Sequence, residues 1–415
     1  MRIGILTPYY PPEMGAPPAR LHEIATRLVA AGDDVTVITA YPSRPLGRIY
    51  PGFGGKRHTV TLEDGVRVIR TWIKPSAASS SFIARAVNDL SFTWSSGWTV
   101  GHRIGRLDVL IVQNPPLFSV FNARAISRHS GAKIVMWCGD IWPDVLVQSG
   151  QMKNGVMAKI MRANQQMCFD SSAVLAVTNP TIARDTGHAY RCPPIAIWSN
   201  GVDTKQFAPD KRDEAVRASV GAGPNDILIG YIGLHGRFQG LDTIVEAAIS
   251  LKGTPGFRFI FMGDGVEKPR LIERARAAGC DHIAFFGPRP KSAMPSLVAS
   301  CDISVVSLLT RMPGTMPSKF YEACASGSVA LVADGCEAAP LVRQHGAGLI
   351  YEPGDAESAH QALLAFRDMG ASKVHTMAKA ARALSLRFDR DALADHVRRC
   401  LIAVHLARPL PDQTW

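Results

Sequence analysis

One segment in the second half of the sequence has the residue types of a phosphate-binding helix start. In Gly314–Gly327, Pro317 and Ser318 are followed by Lys319. A proline at the start of a helix, after a polar turn, indicates a helix N-terminus, where free N–H groups bind anions. Lys319 adds a full positive charge. Glu322 follows on the same helical face, where a carboxylate accepts hydrogen bonds from ribose hydroxyls, although an i,i+3 surface ion pair is the competing interpretation.

A glycine-rich segment, Gly233–Asp242, offers a second set of groups for an anion. Gly233 and Gly236 permit close approach of the backbone to a ligand, and Arg237 supplies a bidentate fork suited to a diphosphate. The segment matches neither the dinucleotide-binding pattern G-x-G-x-x-G nor the P-loop pattern. A surface loop with a solvated arginine is the alternative, and His235 is more often structural or solvated than catalytic.

Two loops in the first half carry weaker signals. Gly15 stands in the proline-rich stretch Thr7–Arg20, just before a predicted helix, where backbone N–H groups approach anions. A structural turn is an equal alternative there. In Trp137–Asp144, Asp140 lies among aromatic residues. This carboxylate could orient a hydroxyl group or act as a base, or it could be an ordinary loop cap.

The elements that must position these loops are alternating strands and helices. Amphipathic stretches such as Ala19–Ala31 separate short, continuously apolar runs, which are typical of strands covered by helices on both faces. The predicted strands are Ile3–Thr7, Val35–Thr39, Val109–Val112, Lys133–Trp137, Val174–Val177, Ile227–Ile232, Arg258–Met262, Ile283–Phe286, Ile303–Ser307 and Val329–Ala333. This alternation, found in both halves, predicts an α/β protein with two doubly wound, Rossmann-like domains.

The predicted domains are residues 1–200, residues 201–388, and a C-terminal helix and tail at 389–415. The first boundary falls at the turn-forming stretch Asn200–Asp203. We expect the two domains to face each other across a cleft, with the C-terminal helix packing back on the first domain. In open α/β sheets, ligands bind beyond the carboxyl ends of the strands, which is where the loops above are predicted.

Composition and charge exclude several classes of protein. The chain has 415 residues, 47% hydrophobic and 20% charged, as in soluble globular proteins. No apolar run is long enough for a membrane span, and the first apolar run is too brief for a signal peptide. The eight cysteines form no C-x-x-C pair, so a zinc site or a disulfide framework is not expected. These features predict a cytoplasmic protein.

The positive charge is concentrated in the first half. Residues 1–200 contain 21 Lys and Arg against 12 Asp and Glu, whereas residues 201–415 contain 25 against 23. An anionic partner is expected for the first half. No nucleic-acid-binding motif is present, so nucleic acid is not an expected partner.

Ser81–Arg106 interleaves Trp94 and Trp98 with arginines, which predicts peripheral attachment to the anionic inner face of the cell membrane. Packing of these aromatics into the core is the alternative.

Together these loops resemble the family 4 retaining glycosyltransferases of GT-B fold, over essentially the whole chain. The matching segments, in the order of the family, are Ile5–Glu13 with Gly15, Asp140–Asp144, Ser199–Asp203, Gly236–Asp242 and Pro317–Gly327. Within the family the sequence is most similar to the branch resembling bacterial fucosaminyltransferases, which build surface polysaccharides.

Two departures from the family pattern affect the donor site. Many members have two glutamates eight positions apart, of which this chain has Glu322 but Gly314 at the earlier position. Backbone groups of Met312–Thr315 are therefore expected to serve the donor sugar. Many members also have a lysine where this chain has Gln239, which would make Lys319 the main ammonium group on the diphosphate.

The resemblance implies transfer of a sugar, with retention at the anomeric carbon, from a UDP-linked donor. The acceptor would be a glycan or a polyprenyl-diphosphate-linked sugar in cell-surface polysaccharide synthesis. Arg237, Lys319 and Asp140 are the expected catalytic residues. The expected donor-binding residues are Gly15, Gly233, Gly236, Met312, Gly314, Thr315, Pro317, Ser318 and Glu322. We expect no cofactor and no metal, since no Asp-x-Asp pair stands on a loop.

Functions from other classes remain possible on the sequence alone. A nucleotide-sugar epimerase has the same two-domain layout and would convert the donor without an acceptor. A non-catalytic protein would bind the nucleotide sugar and release no nucleotide. A nicotinamide-dependent oxidoreductase is disfavoured because the dinucleotide-binding fingerprint is missing.

Overall fold

A computed structural model of the chain describes residues 1–13, 16–44, 46–76, 82–100, 104–148 and 152–412. The chain forms two compact units, unit 1 (Met1–Ser199 with Ala394–Trp415) and unit 2 (Asn200–Leu393). The boundaries of the units lie at 199/200 and 393/394, whereas the predicted positions are 200/201 and 388/389. The described residues from Ala394 onward belong to unit 1.

Unit 1 is built on an eight-stranded sheet in the described part of the chain. Its strands are β1 (Arg2–Leu6), β2 (Asp34–Ala40), β3 (His58–Glu63), β4 (Val66–Thr71), β5 (Val109–Asn114), β6 (Lys133–Cys138), β7 (Val174–Val177) and β8 (Ile195–Ile197). The order is β3-β4-β2-β1-β5-β6-β7-β8. The paired strands run parallel except β3, which is antiparallel to β4 at the edge.

Helices cover both faces of this sheet. They are α1 (Ala16–Ala30), α2 (Phe82–Val100), α3 (Ser119–Ser130), α4 (Asp144–Gln148), α5 (Val156–Asp170) and α6 (Pro180–Ala189). Phe92 of α2, Ile126 of α3 and Phe169 of α5 join one buried core cluster. Leu21 of α1 joins the core on the opposite face, together with Leu401 near the C-terminus. The continuous apolar strands are buried on both faces, as their sequence pattern predicts.

Unit 2 has a six-stranded parallel sheet among its described residues. Its strands are β9 (Ile227–Ile232), β10 (Phe257–Met262), β11 (Ile283–Phe286), β12 (Ile303–Val306), β13 (Val329–Ala333) and β14 (Gly348–Tyr351). Its helices are α7 (Glu214–Ser219), α8 (Leu241–Ser250), α9 (Lys268–Ala277), α10 (Met294–Ser300), α11 (Ser318–Ser326), α12 (Ala338–His345), α13 (Ala356–Arg367) and α14 (Ala371–Leu386). The last helix of the chain, α15 (Arg390–Leu406), begins in this unit and continues into unit 1.

The strand order of unit 2 reverses between β9 and β12. The order is β11-β10-β9-β12-β13-β14, so successive strands are added on one side of β9 and then on the other. A crevice forms at the carboxyl ends of the strands where such a reversal occurs, and ligands of open α/β sheets bind there. In unit 2 this point lies between the loop that starts at Gly233 and the loop that follows Val306.

The C-terminal helix completes the core of unit 1. Val397, Cys400, Leu401 and Val404 of α15 are buried in the same cluster as the strands β1 and β2. Arg398 Nε also donates to Asp33 Oδ2 at 2.6 Å. Helix α15 therefore packs on the first unit, as the sequence predicts. Across the ranges described, no helix is both long and apolar enough to cross a membrane.

Candidate functional site

Lys319 is held at the strand-order reversal of unit 2. Its Nζ lies 5.1 Å from the ring centroid of Tyr231, at the end of β9. A Cβ added to Gly233 would lie 2.4 Å from Lys319 Cε and 2.8 Å from its Nζ. Glycine at 233, with φ of 153°, lets the ammonium group approach the backbone. Burial lowers the pKa of Lys319, which the nearby Glu322 carboxylate opposes. A positive charge therefore lies beside the turn that follows β9.

The start of α11 lies directly before this lysine in the chain. Pro317 precedes the helix with an extended backbone, and its carbonyl oxygen accepts a hydrogen bond from Phe320 N–H at 3.1 Å. The first N–H groups of a helix lack partners within the helix and attract anions. Ser318, the first helical residue, is exposed. The helix start and Lys319 are thus adjacent in the chain, and both favour an anion.

Glu322 lies on α11, one turn beyond Lys319. Burial raises the pKa of the Glu322 carboxyl, and the positive charges of Lys319, Arg390 and Lys291 oppose that shift. No ion pair within 4.0 Å joins Lys319 to Glu322, although the structure describes both residues. A simple surface ion pair therefore does not explain the position of Lys319.

The turn Met312–Thr315 is the segment whose backbone groups are expected to serve the donor sugar. Each of its N–H groups is hydrogen-bonded within unit 2. Met312 N–H donates to Gly335 O at 3.0 Å, Gly314 N–H to Glu337 Oε1 at 3.0 Å, and Thr315 N–H to Met312 O at 3.1 Å. Because Pro313 has no N–H, a ligand at this turn finds carbonyl oxygens rather than backbone donors.

Arg237 and Gly236 lie in the loop between β9 and α8. Gly236 precedes a short 3-10 turn that starts at Arg237. The Arg237 side chain is 82% exposed, and its Nε lies 3.4 Å from Glu267 Oε1. Arg237 is therefore available to a ligand but is not held in place as Lys319 is.

His235 is fully buried, with Nδ1 3.1 Å from Gly233 O, and burial lowers its pKa. Its side chain is therefore not exposed at the surface.

In unit 1, Asp140 follows β6 at the carboxyl edge of the sheet. Its side chain is accessible to solvent, although desolvation by neighbouring groups raises the pKa of its carboxyl, which Arg20 opposes. The Arg20 guanidinium lies 4.4 Å from the ring centroid of Trp137, and burial lowers the pKa of Arg20 to about 10. Asp140 and Arg20 are thus brought together.

Asp144 and Gly15 are two further residues of the predicted loops. Asp144 binds Arg162 Nε at 2.8 Å and accepts a hydrogen bond from the Tyr190 hydroxyl, so it ties α4 to α5 and to the end of α6. Gly15, predicted to bind the donor, lies outside the described residues.

Sequence reasoning missed three residues that the structure places at these loops: Tyr231, Arg20 and Glu337. Tyr231 lies under Lys319, Arg20 lies beside Asp140, and Glu337 binds Gly314. Glu337 follows the predicted strand Val329–Ala333 closely, so the rule that ligands bind beyond strand ends would have flagged it. No pattern in the sequence identifies Tyr231 or Arg20, because their contacts cross between distant segments.

Within the described ranges, no group of three or more His, Cys, Asp or Glu side chains is placed to hold a metal ion. All eight cysteines are free thiols.

Two family models match the chain. The model described as Glycosyltransferase Family 4 matches residues 19–206, and the model described as Glycosyl transferases group 1 matches residues 212–384. A relative from Escherichia coli (strain K12), which carries the name colanic acid biosynthesis glycosyl transferase WcaI, is 28% identical over 348 residues. That alignment covers 80% of this chain and 83% of the relative.

Solved structures share the fold. Sucrose-phosphate synthase from Thermosynechococcus elongatus matches with a TM-score of 0.73 at 14% identity, covering 98% of this chain and 99% of that one. Anabaena Alr3699/HepE, solved in complex with UDP, matches with a TM-score of 0.71 at 17% identity, covering 97% and 100%. The two doubly wound units agree with this likeness, and the family models match one after the other along the sequence. The chain is a glycosyltransferase of the GT-B fold.

Proposed function

We propose that this enzyme transfers a sugar from a UDP-linked donor, with retention at the anomeric carbon, to a glycan or polyprenyl-diphosphate-linked acceptor of a cell-surface polysaccharide. One observation carries the proposal. The Lys319 ammonium lies against Gly233, beside the start of α11, at the strand-order reversal of unit 2. This arrangement suits a nucleoside diphosphate, with Glu322 one turn further on to accept hydrogen bonds from the ribose.

The proposed chemistry requires stabilisation of the leaving group. Breaking the sugar–phosphate bond leaves new negative charge on the diphosphate, and preorganised cations and N–H groups lower the energy of that transition state. Lys319 and the Pro317–Ser318 helix start are held in place for this task, and the exposed Arg237 can add a second charge. For the acceptor we propose Asp140, whose accessible carboxylate would orient a hydroxyl group.

The comparisons supply separate support for parts of this proposal. HepE was solved with UDP, which supports a UDP-linked donor here. The name of the WcaI relative refers to colanic acid biosynthesis, which supports a polysaccharide product. The branch of bacterial fucosaminyltransferases remains our proposal from the sequence motifs.

A panel of nucleotides and nucleotide sugars tests the donor. We would measure the thermal unfolding midpoint with UDP, GDP and dTDP and with their glucose and N-acetylglucosamine derivatives, since a ligand that binds the native state stabilises it. Stabilisation by UDP compounds supports the proposal, and stabilisation by GDP compounds alone contradicts the choice of base. Release of UDP that depends on acceptor separates transfer from epimerisation and from simple binding.

Transfer is expected to continue in excess chelator. Lys319, Arg237 and the start of α11 supply positive charge at the diphosphate, where a divalent cation would otherwise be needed. Initial rates with EDTA should stay within about twofold of the rates with added magnesium. Complete loss of transfer in EDTA, with recovery on adding magnesium, would refute a metal-independent reaction.

The Glu322→Ala variant is expected to weaken UDP binding about tenfold to a hundredfold. A hydrogen bond to a charged group contributes about 1.5–3 kcal/mol, and about 1.4 kcal/mol corresponds to a factor of ten. Since burial raises the Glu322 pKa, its carboxylate acceptor is lost on acidification at a higher pH than for an ordinary glutamate. Calorimetry with UDP measures both effects. Glu273→Ala, on the exposed surface of α9, is the matched control. Unchanged UDP affinity in Glu322→Ala would remove this residue from the ribose.

Helix α2 supports the proposed attachment to an anionic membrane surface. Val87, Leu90, Trp94 and Trp98 recur every three or four residues, and the two tryptophans are 67% and 74% exposed. Phe92, by contrast, is fully buried. The helix thus buries one stripe and exposes a second apolar stripe. His102, Arg103 and Ser81 of this segment lie outside the described residues, whereas Arg85 and Arg106 are exposed.

The Trp94→Ala/Trp98→Ala double variant is expected to lose most sedimentation with vesicles containing anionic lipid at low salt. Tryptophan settles at the headgroup boundary, and basic side chains attract the surface with about 1 kcal/mol each. Wild-type binding should weaken as salt rises, because the electrostatic part is screened. Leu386→Ala, which removes an exposed apolar side chain from unit 2, is the control. Equal sedimentation of the double variant and wild type would contradict a membrane-facing α2.

A further inference from the structure

The carboxylate of Glu337 reaches the turn that precedes α11. Glu337 lies in the loop between β13 and α12, and its Oε1 accepts the Gly314 N–H at 3.0 Å. Its own N–H donates to Thr315 O at 3.0 Å. Two hydrogen bonds therefore fasten the turn after β12 to the loop after β13. These are adjacent strands on one side of the strand-order reversal.

Glu337 differs from the other acidic residues around these loops. Asp334 pairs with Arg311 at 3.0 Å and with Arg343 at 2.8 Å, and Glu352 pairs with Arg311 at 2.6 Å. No basic side chain in the described part of the chain lies within 4.0 Å of the Glu337 carboxylate, and no second hydrogen bond reaches it. Glu337 is partly buried and lies at the edge of the crevice. Its Oε1 is hydrogen-bonded to Gly314, whereas its other carboxylate oxygen has no hydrogen bond within the described residues.

The turn Met312–Thr315, which the Glu337 carboxylate contacts, has no free backbone N–H for a ligand. All N–H groups of Met312–Thr315 are engaged within the protein, so this turn supplies no backbone donor to a sugar. The Glu337 carboxylate can instead accept hydrogen bonds from the hydroxyl or amide N–H groups of a sugar. A charged acceptor binds such donors more strongly than a neutral one does.

We propose that Glu337 is a specificity-determining residue that binds the sugar moiety of the donor through its second carboxylate oxygen, while Oε1 holds the Gly314 turn. This proposal rests on the nucleotide-sugar site proposed for unit 2. The sugar it selects presents a hydroxyl or an amide N–H toward the turn after β12. The nucleotide itself is bound elsewhere, by Lys319 and Glu322.

Glu337→Gln separates this role from a structural one. Glutamine keeps a carbonyl oxygen for the Gly314 N–H, so the turn can remain in place, but its second group is a donor rather than an acceptor. A residue that only holds the turn would tolerate this change. A residue that accepts hydrogen bonds from the sugar would not.

The experiment compares dissociation constants for UDP, UDP-glucose and UDP-N-acetylglucosamine in wild type, Glu337→Gln, Glu337→Ala and the control Glu273→Gln. We expect both Glu337 variants to bind UDP within about twofold of wild type, and Glu337→Gln to lose about tenfold or more in affinity for the sugar nucleotide that wild type prefers over UDP. Glu273→Gln should match wild type throughout.

Two results would count against the inference. Wild-type affinity of Glu337→Gln for the preferred sugar nucleotide overturns it and leaves Glu337 as a support for the turn. The same conclusion follows if wild type binds UDP and gains nothing from either sugar. If wild type binds no nucleotide at all, the nucleotide site itself fails, which is a different outcome. Unfolding midpoints of the variants report whether the turn survives.

Discussion

Replacing Lys319 with alanine is expected to lower kcat about 10²–10³-fold, with a smaller rise in donor KM. The ammonium group is partly buried against Tyr231 and Gly233, and its position is fixed before the donor arrives. Such a group costs little reorganisation when negative charge develops on the diphosphate, so its removal affects the transition state more than the ground state. Steady-state kinetics over a range of donor concentrations separate the two parameters.

Arg237→Ala is the informative companion to this variant. Arg237 is mostly exposed, with Glu267 as its nearest carboxylate, so it must be drawn to the diphosphate at an entropic cost. We expect a smaller loss than for Lys319→Ala. A kcat for Lys319→Ala within tenfold of wild type would contradict the assignment of Lys319 as the main cation.

The pH profile gives an independent check on Lys319. Burial lowers its pKa, so the charged form is lost as pH rises at a lower pH than for an ordinary lysine. On the alkaline side of the pH profile, kcat should therefore fall at a lower pH than it would with an ordinary lysine. Lys319→Arg, whose guanidinium stays charged, should move that limb to higher pH even where its maximal rate is lower.

Replacing Gly263 with alanine is expected to lower the free energy of unfolding of unit 2 by about 2–4 kcal/mol and to reduce transfer activity. An added Cβ would lie 1.9 Å from Gly233 O and 3.3 Å from His235 Nδ1, and Gly263 has a φ of 138°. The carbonyl of Gly233 would have to move, and the backbone on which Lys319 rests would move with it. Urea unfolding measures the first effect.

Gly253→Ala is the matched control for this prediction. Gly253 also has positive φ, at 82°, but nothing lies within 4 Å of an added Cβ. In this variant only the strain of an L-residue at positive φ lowers the free energy of unfolding, by about 1–2 kcal/mol. Equal destabilisation by the two substitutions would mean that the contact between Gly263 and Gly233 has no role in positioning the site.

The sequence predicts the buried part of the fold well and its margins poorly. Central strands such as Val174–Val177 and Ile227–Ile232 lie where their continuous apolar runs predict. The edge strands His58–Glu63 and Val66–Thr71 were missed, because alternating threonines and arginines replace the continuous apolar pattern there. The two-residue turn between them, Asp64-Gly65, is a hairpin signal that could have revealed them.

In the candidate site, too, the sequence predicts local features and misses contacts between distant segments. The spacing of Lys319 and Glu322 on one helix is local, and the sequence predicts it. The engagement of Gly314 by Glu337, 23 residues further along the chain, is a tertiary contact that no local pattern carries. The sequence therefore could not show that the N–H groups of Met312–Thr315 are hydrogen-bonded within the protein.

The return of α15 to unit 1 affects the order in which the two units mature on the ribosome. Domains fold as units, usually the N-terminal one first, during synthesis. Here unit 1 needs Val397, Cys400, Leu401 and Val404 to complete one face of its core, and these residues follow the whole of unit 2 in the chain. Unit 2 is contiguous from Asn200 to Leu393 and is complete before them. The nascent first unit therefore keeps an uncovered apolar face until α15 has been synthesised, which happens after the whole of unit 2.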